Sequence, residues 1–311
     1  MVRLEYDGIS VRITWKEAMM TLPTGAIAPV PTPLDDHLRF DSAAQRAHLS
    51  WLASERLDGA LVLGTNGEFP SFSLAERIFV AETAAAANTR MYLMLGVGSC
   101  ALSEVTTMLD VAARCGYEAV LCPPPFYFRG APAGGLTAFF REVLDVSSVP
   151  VLLYHIPQVT GVPISEEILD RLEGHQRLAG VKDSSGDPDE LARLCGRFHD
   201  RAYIVGSDRL VTACLAAGGS GSITAAASVA PRLVNEVHRG DAAQEELDAL
   251  RGLLEDYGLG PSVKAVLRRA GLGEYATRPP LVGLDPTREE ALWKSYCRLV
   301  PEEHRPRTLE R

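Results

Sequence analysis

The run "RLAGVKDSSGD" at residues 177–187 carries an unbroken apolar stretch, Leu178 to Val181, straight into a lysine, then an acid and two serines. No polar residue interrupts the stretch, which is the pattern of a strand buried on both faces, as in parallel sheets. The lysine stands out for a second reason. Of the chain's 31 basic residues only four are lysine (Lys16, Lys182, Lys264 and Lys294), and the other 27 are arginine.

Working outward, seven more short apolar runs share this character, at 26–30, 59–64, 91–97, 118–123, 150–155, 202–206 and 219–224. The last, "GSGSIT", is the weakest. Amphipathic segments follow them. "DSAAQRAHLSWLASERL" starts with Asp41 or Ser42 as N-cap, "SLAERIFVAETAAAA" opens on a capping box of Ser73 and Glu76, and "SEVTTMLDVAARCG" ends at Gly116, a good helix-terminating residue. Shorter helical patterns lie near 136–147, 165–173, 188–199, 208–217 and 231–239. Eight strands, each followed by a helix, predict a (β/α)₈ TIM barrel over residues 25–240, with a doubly wound sheet as the alternative. Residues 1–24 read as an N-terminal appendage. Residues 241–311 hold three more helical patterns and read as a helical extension packed on the barrel.

Composition narrows the function. The chain has 311 residues, 46% hydrophobic and 23% charged, with a net charge of −9 and a pI near 5.4. No basic run of the kind that binds nucleic acid is present, and no apolar stretch approaches the ~20 residues of a membrane span. Six scattered cysteines lack CxxC spacing, which predicts free thiols in a reducing cytoplasm. The first twenty residues lack the apolar core of a signal peptide. No His/Asp/Glu cluster has metal spacing, so the expected chemistry uses neither metal nor cofactor.

In such barrels the C-terminal strand ends carry the chemistry. Lys182 ends the sixth run, whereas Lys16, Lys264 and Lys294 fall in the tail or on charged helices. A nucleophilic amine needs its pKa moved from ~10.4 to near 7–8, and a dry strand end pushes in that direction because desolvation disfavours the ammonium. Arginine cannot lose its proton in this way. The expected chemistry is a Schiff base with a carbonyl substrate. Tyr154 ends the fifth run, one βα unit earlier, so its phenol should neighbour Lys182 and shuttle protons. "GTNGEF" (64–69) offers a glycine turn whose N–H groups, with Thr65 and Asn66, suit a carboxylate. "PPPFYFRG" (123–130) holds Phe126, Tyr127 and Phe128 on a stiff loop at the mouth, for a subunit contact or a ligand. "GGSGS" (218–222) reads as a tight turn into a strand, with a phosphate cradle as the alternative. His155 reads as structural.

Together "GTNGE", "PPPFYF", "YHIPQVTG" and "GVKDSSGD" resemble the dihydrodipicolinate synthase / N-acetylneuraminate lyase family over roughly residues 25–300. The resemblance implies a class I aldolase in which Lys182 forms the imine with pyruvate or another 2-oxo acid. Tyr154 would shuttle protons, and Thr65 and Asn66 would hold the 2-oxo acid carboxylate. Thr65 would also link Tyr154 to Tyr127 in a hydroxyl relay, with Tyr127 reaching across a dimer interface. A homodimer or homotetramer is therefore expected. Ser184, and more weakly Ser207 and Asp208, would contact the distal part of the substrate. Two departures matter. Dihydrodipicolinate synthases carry an arginine for the second substrate's carboxylate where this chain has Val159, and the usual asparagine after the tyrosine is His155. The motifs look more like those of 4-hydroxy-2-oxoglutarate and 2-keto-3-deoxy sugar acid aldolases. Dihydrodipicolinate synthase, or a dehydratase or hydratase-aldolase, is the alternative within the family. A catalytically inactive ligand-binding barrel is the alternative of another class.

Overall fold

The computed structural model describes residues 2–6, 9–13 and 22–309. Within the expected appendage, β1 (Val2–Tyr6) and β2 (Ile9–Ile13) form an antiparallel pair. The rest of that appendage up to residue 21, Lys16 included, lies outside the described residues.

Eight parallel strands follow: β3 (Gly25–Pro29), β4 (Gly59–Val62), β5 (Tyr92–Gly96), β6 (Ala119–Cys122), β7 (Val151–His155), β8 (Leu178–Asp183), β9 (Ala202–Val205) and β10 (Gly221–Ile223). They pair in chain order, and β10 closes onto β3. This is the expected (β/α)₈ barrel. Closure excludes the doubly wound alternative, which would leave two free edges.

The strands are apolar on both faces because each face meets a separate core. Ile27, Leu61, Met94, Leu121, Leu152 and Ile204 fill the barrel interior. Their chain neighbours, such as Val62, Leu95, Leu153 and Val205, pack outward against the helices. Two glycines let strands approach. Gly180 has φ +151°, and a Cβ there would run into the Ala202 carbonyl. A Cβ at Gly221 would meet Gly25, as the reading of "GGSGS" as a tight turn into β10 requires.

The helices start where local chemistry dictates. Asp41 caps α1 (Ser42–Ser54) by accepting from the Ala43 and Ala44 N–H groups. The Ser73/Glu76 capping box opens α2 (Leu74–Ala85). Gly116, at φ +76°, ends α3 (Leu102–Cys115). Then come α4 (Ala133–Val146), the single turn α5 (Pro157–Thr160), α6 (Glu166–Leu172), α7 (Pro188–Arg197), α8 (Val211–Ala216) and α9 (Pro231–Arg239). Beyond these, α10 (Gln244–Asp256), α11 (Leu259–Arg269) and α12 (Pro286–Leu299) pack on one another. The Tyr296 hydroxyl ties α12 to the barrel by donating to the Val229 carbonyl at 2.6 Å. Among the described residues no helix is long and apolar enough to cross a membrane.

Candidate active site

The register of β7 and β8 places Tyr154 directly opposite Lys182. Lys182 is only 3% exposed. Its Nζ donates to the Tyr154 hydroxyl at 3.4 Å and lies 4.4 Å from the centre of that ring. It takes part in none of the ion pairs among the described residues. The adjacent carboxylate, Asp183, is engaged elsewhere, accepting from the Tyr203 hydroxyl at 3.0 Å and the Ser185 N–H at 2.8 Å.

The Tyr154 hydroxyl is the hub of the site. Besides Lys182 it meets Thr65 Oγ1 at 3.2 Å and Ser184 Oγ at 3.5 Å. Burial pushes this phenol up, but the neighbouring Lys182 charge and the hydrogen bonds from Ser184, Thr65 and Lys182 outweigh it, so its pKa lies below the ordinary tyrosine value.

These groups line a cavity of about 360 Å³ at the C-terminal mouth, with Thr65, Asn66, Tyr154, Lys182, Ser184 and Ser207 all on its wall. Six of the seven predicted site residues thus share one space. The seventh, Tyr127, does not: it is 79% exposed, set edge-on to Phe128, and its N–H bonds Cys100 Sγ at 3.3 Å. The hydroxyl relay within this chain runs from Thr65 to Tyr154 and stops there. A second hollow of about 730 Å³ shares Thr65, Asn66, Tyr154 and Val159 and continues over Phe69, Phe126 and Leu281.

The far wall holds groups the sequence did not mark out. Arg251 pairs with Asp208 at 2.8 Å and Glu255 at 2.7 Å, and Arg209 pairs with Glu255 at 2.7 Å. Asp208, expected as a weak candidate for substrate contact, is not among the residues lining the cavity. It is fully buried, accepts from the Ala226 N–H and anchors Arg251. Gln158 also lines the cavity and bonds the Ser184 carbonyl. These groups come from α5, the short turn at Asp208–Leu210 and α10, and no spacing in the chain announces their meeting. His155 has a structural setting. Its Nδ1 accepts from the Ile164 N–H at 3.2 Å, and its Nε2 lies 3.8 Å from Glu190, a carboxylate partner the sequence did not reveal.

Lys264 corrects the reading of the spare lysines. It lies on α11 but is 1% exposed, pairs with the buried Glu68 at 2.9 Å and donates to the Ala276 carbonyl at 2.9 Å. The apolar neighbours in "SVKAVL" (262–267) were the signal that it points inward.

Residues 22–295 match the model of the dihydrodipicolinate synthetase family. The chain belongs to this family. It is accordingly a carbon–carbon lyase of the dihydrodipicolinate synthetase type. An uncharacterized DapA-like lyase from Chloroflexus aurantiacus is 37% identical over 90% of this chain and 98% of its own. A 4-hydroxy-tetrahydrodipicolinate synthase from Gluconacetobacter diazotrophicus is 31% identical over 85% of this chain and 93% of its own. The solved structure of YagE from E. coli K12, in complex with pyruvate, superposes with a TM-score of 0.83 at 23% identity over 90% of this chain and 99% of its own, a likeness of fold.

Proposed function

We propose that this lyase forms an imine between Lys182 and a 2-oxo acid and cleaves 4-hydroxy-2-oxo acids to pyruvate and an aldehyde. The observation that carries this reading is the buried lysine Nζ 3.4 Å from a phenol that is itself 3.2 Å from Thr65, on the wall of one cavity. Lys182 attacks the keto carbon, and loss of water gives the iminium. Tyr154, as phenolate, takes the proton from the C4 hydroxyl. The C3–C4 bond breaks, its electrons pass into the iminium, and an aldehyde leaves. The resulting enamine is protonated at C3, and hydrolysis releases pyruvate and the free lysine. The turn at Thr65 and Asn66 would hold the substrate carboxylate, and Ser184 and Ser207 its distal hydroxyls.

The far wall supports a hydroxylated tail. Arg209 and Arg251 are each matched by a carboxylate, so the wall presents many hydrogen-bonding groups with balanced charge. Val159 adds no cation at the mouth. This fits 2-keto-3-deoxy sugar acids better than a second anionic group. YagE, which shares the fold, was captured with pyruvate. Tyr127, exposed on its rigid loop, suits a role in the neighbouring site of a homodimer, which analytical ultracentrifugation would reveal.

Borohydride reduction in the presence of pyruvate should add the pyruvate-derived mass to Lys182. A panel of 2-keto-3-deoxy sugar acids and other 4-hydroxy-2-oxo acids, assayed for pyruvate release, then names the substrate. No adduct with pyruvate, and none with any acid in the panel, would reject the imine. The second reading, a 4-hydroxy-tetrahydrodipicolinate synthase, is favoured by relatives of that name. It predicts consumption of pyruvate with an aldehyde partner and no release from the panel.

A further inference from the structure

The Lys264–Glu68 pair is buried on both sides, with side-chain exposures of 2% and 4%. Two charges taken out of water are held there although an apolar pair of similar volume is often as stable or more so. Stability alone therefore does not account for the pair. Its location suggests what does. Glu68 lies three residues after Thr65, and its N–H closes the turn onto the Thr65 carbonyl at 3.0 Å. Its backbone sits at φ +54°, a left-handed conformation that a non-glycine residue keeps only when its surroundings impose it. Beside it, the Gly67 carbonyl is fixed by the Thr32 hydroxyl at 2.8 Å.

On the other side, the Lys264 amine is pinned by the Ala276 carbonyl at 2.9 Å. A second cation from the same extension grips the next part of the loop. Arg278 donates to the Ser71 carbonyl at 2.9 Å and pairs with Glu76 at 2.6 Å. The extension thus holds residues 68–76 at two points, and the Lys264 contact is the one next to Thr65.

We propose that Lys264 and Glu68 are positioning residues, a buried tie by which α11 sets the Thr65–Asn66 turn so that the Thr65 hydroxyl meets the Tyr154 phenol. The tie acts on the site through backbone geometry. Glu68 sits beside the site rather than in it, on the wall of the larger hollow that it shares with Thr65 and Tyr154. The inference rests on the proposed roles of Thr65 and Tyr154, and its first measurement requires no substrate.

The first measurement is the titration of Tyr154 by NMR on the full-length protein carrying ¹³Cζ-labelled tyrosine, assigned by loss of the signal in Tyr154→Phe. The groups facing this phenol are Lys182, Thr65 and Ser184. Thr65→Val shows what losing that one hydrogen bond does to the titration. Glu68→Met/Lys264→Met replaces the tie by an apolar pair. Glu68→Asp keeps both charges and shortens the tie by one methylene, so it serves if the apolar pair does not fold. Both variants should move the Tyr154 titration upward, in the direction and to about the extent of Thr65→Val. The second measurement is the rate at which borohydride traps pyruvate on Lys182. That rate should fall about tenfold, less than the ~10²-fold that an ångström of misplacement can cost. A folded variant of either kind that titrates and traps like the unaltered protein would overturn the proposal. Absence of a pyruvate adduct in the unaltered protein would count against the imine, while the Tyr154 titration would still decide the tie.

Discussion

Lys182 and Lys264 are both almost fully buried, and their surroundings differ in one respect. Lys264 faces a carboxylate, Glu68, and also donates to a backbone carbonyl. Lys182 faces a phenol, while the acid next to it in sequence is bonded to Tyr203 and Ser185. Burial pushes the Lys264 amine down, Glu68 opposes this, and the nearby Arg278 and Arg268 reinforce the lowering. A carboxylate partner opposes the loss of an amine's proton. A phenol can give and take one. The same side chain, buried to the same degree, becomes a strut in one place and a candidate nucleophile in the other because of what stands opposite it.

This contrast can be broken or sharpened by experiment. The largest effect belongs to Lys182→Ala, which should abolish both the borohydride-trapped adduct and turnover. Peptide mapping of the unaltered protein should find the label on Lys182 and never on Lys264, and label on Lys264 would erase the distinction. Next, Tyr154→Phe removes the atom that makes Lys182's surroundings different. Its kcat should fall by about 10²–10⁴-fold, the range for a lost general acid–base group, with the adduct still detectable on long incubation.

Stability should separate the two lysines in the opposite order. Lys264→Ala leaves Glu68 buried without its counter-charge and should cost about 3–5 kcal/mol in urea denaturation. Lys182→Met should leave the melting temperature unchanged or raise it, since catalytic groups are commonly held at a cost to stability. A similar loss in both would show that Lys182 is structural.

The smallest effect concerns His48, a third buried base. Its Nε2 bonds the Ser228 carbonyl at 2.8 Å, its ring stacks on Trp51, and burial pushes its pKa down to about 4. The unfolded chain, with a histidine near 6.5, binds more protons than the folded one between these values. Stability is therefore complete above pH 6.5 and is lost as pH falls toward 4. The full loss amounts to about 3 kcal/mol. Urea midpoints at pH 7.5 and 5 should show a drop that His48→Gln reduces.

The amino-acid sequence alone settled the barrel's eight strands, the helix ends at Ser73 and Gly116, and the meeting of Tyr154 with Lys182, and it narrowed the first helix cap to Asp41 or Ser42. These follow from short-range chemistry and a regular repeat: apolar runs of strand length, a serine three residues before a glutamate, and two strand ends one βα unit apart. The sequence could not show that Lys264 turns inward against Glu68, or that Asp208 pairs with Arg251 at the cavity wall. Each depends on segments distant in the chain, nearly 200 residues apart in the first case and 43 in the second, and a buried charge is identified only by what folding sets against it. Tertiary structure therefore decided which polar groups line the cavity and which pair with one another to hold its walls in place.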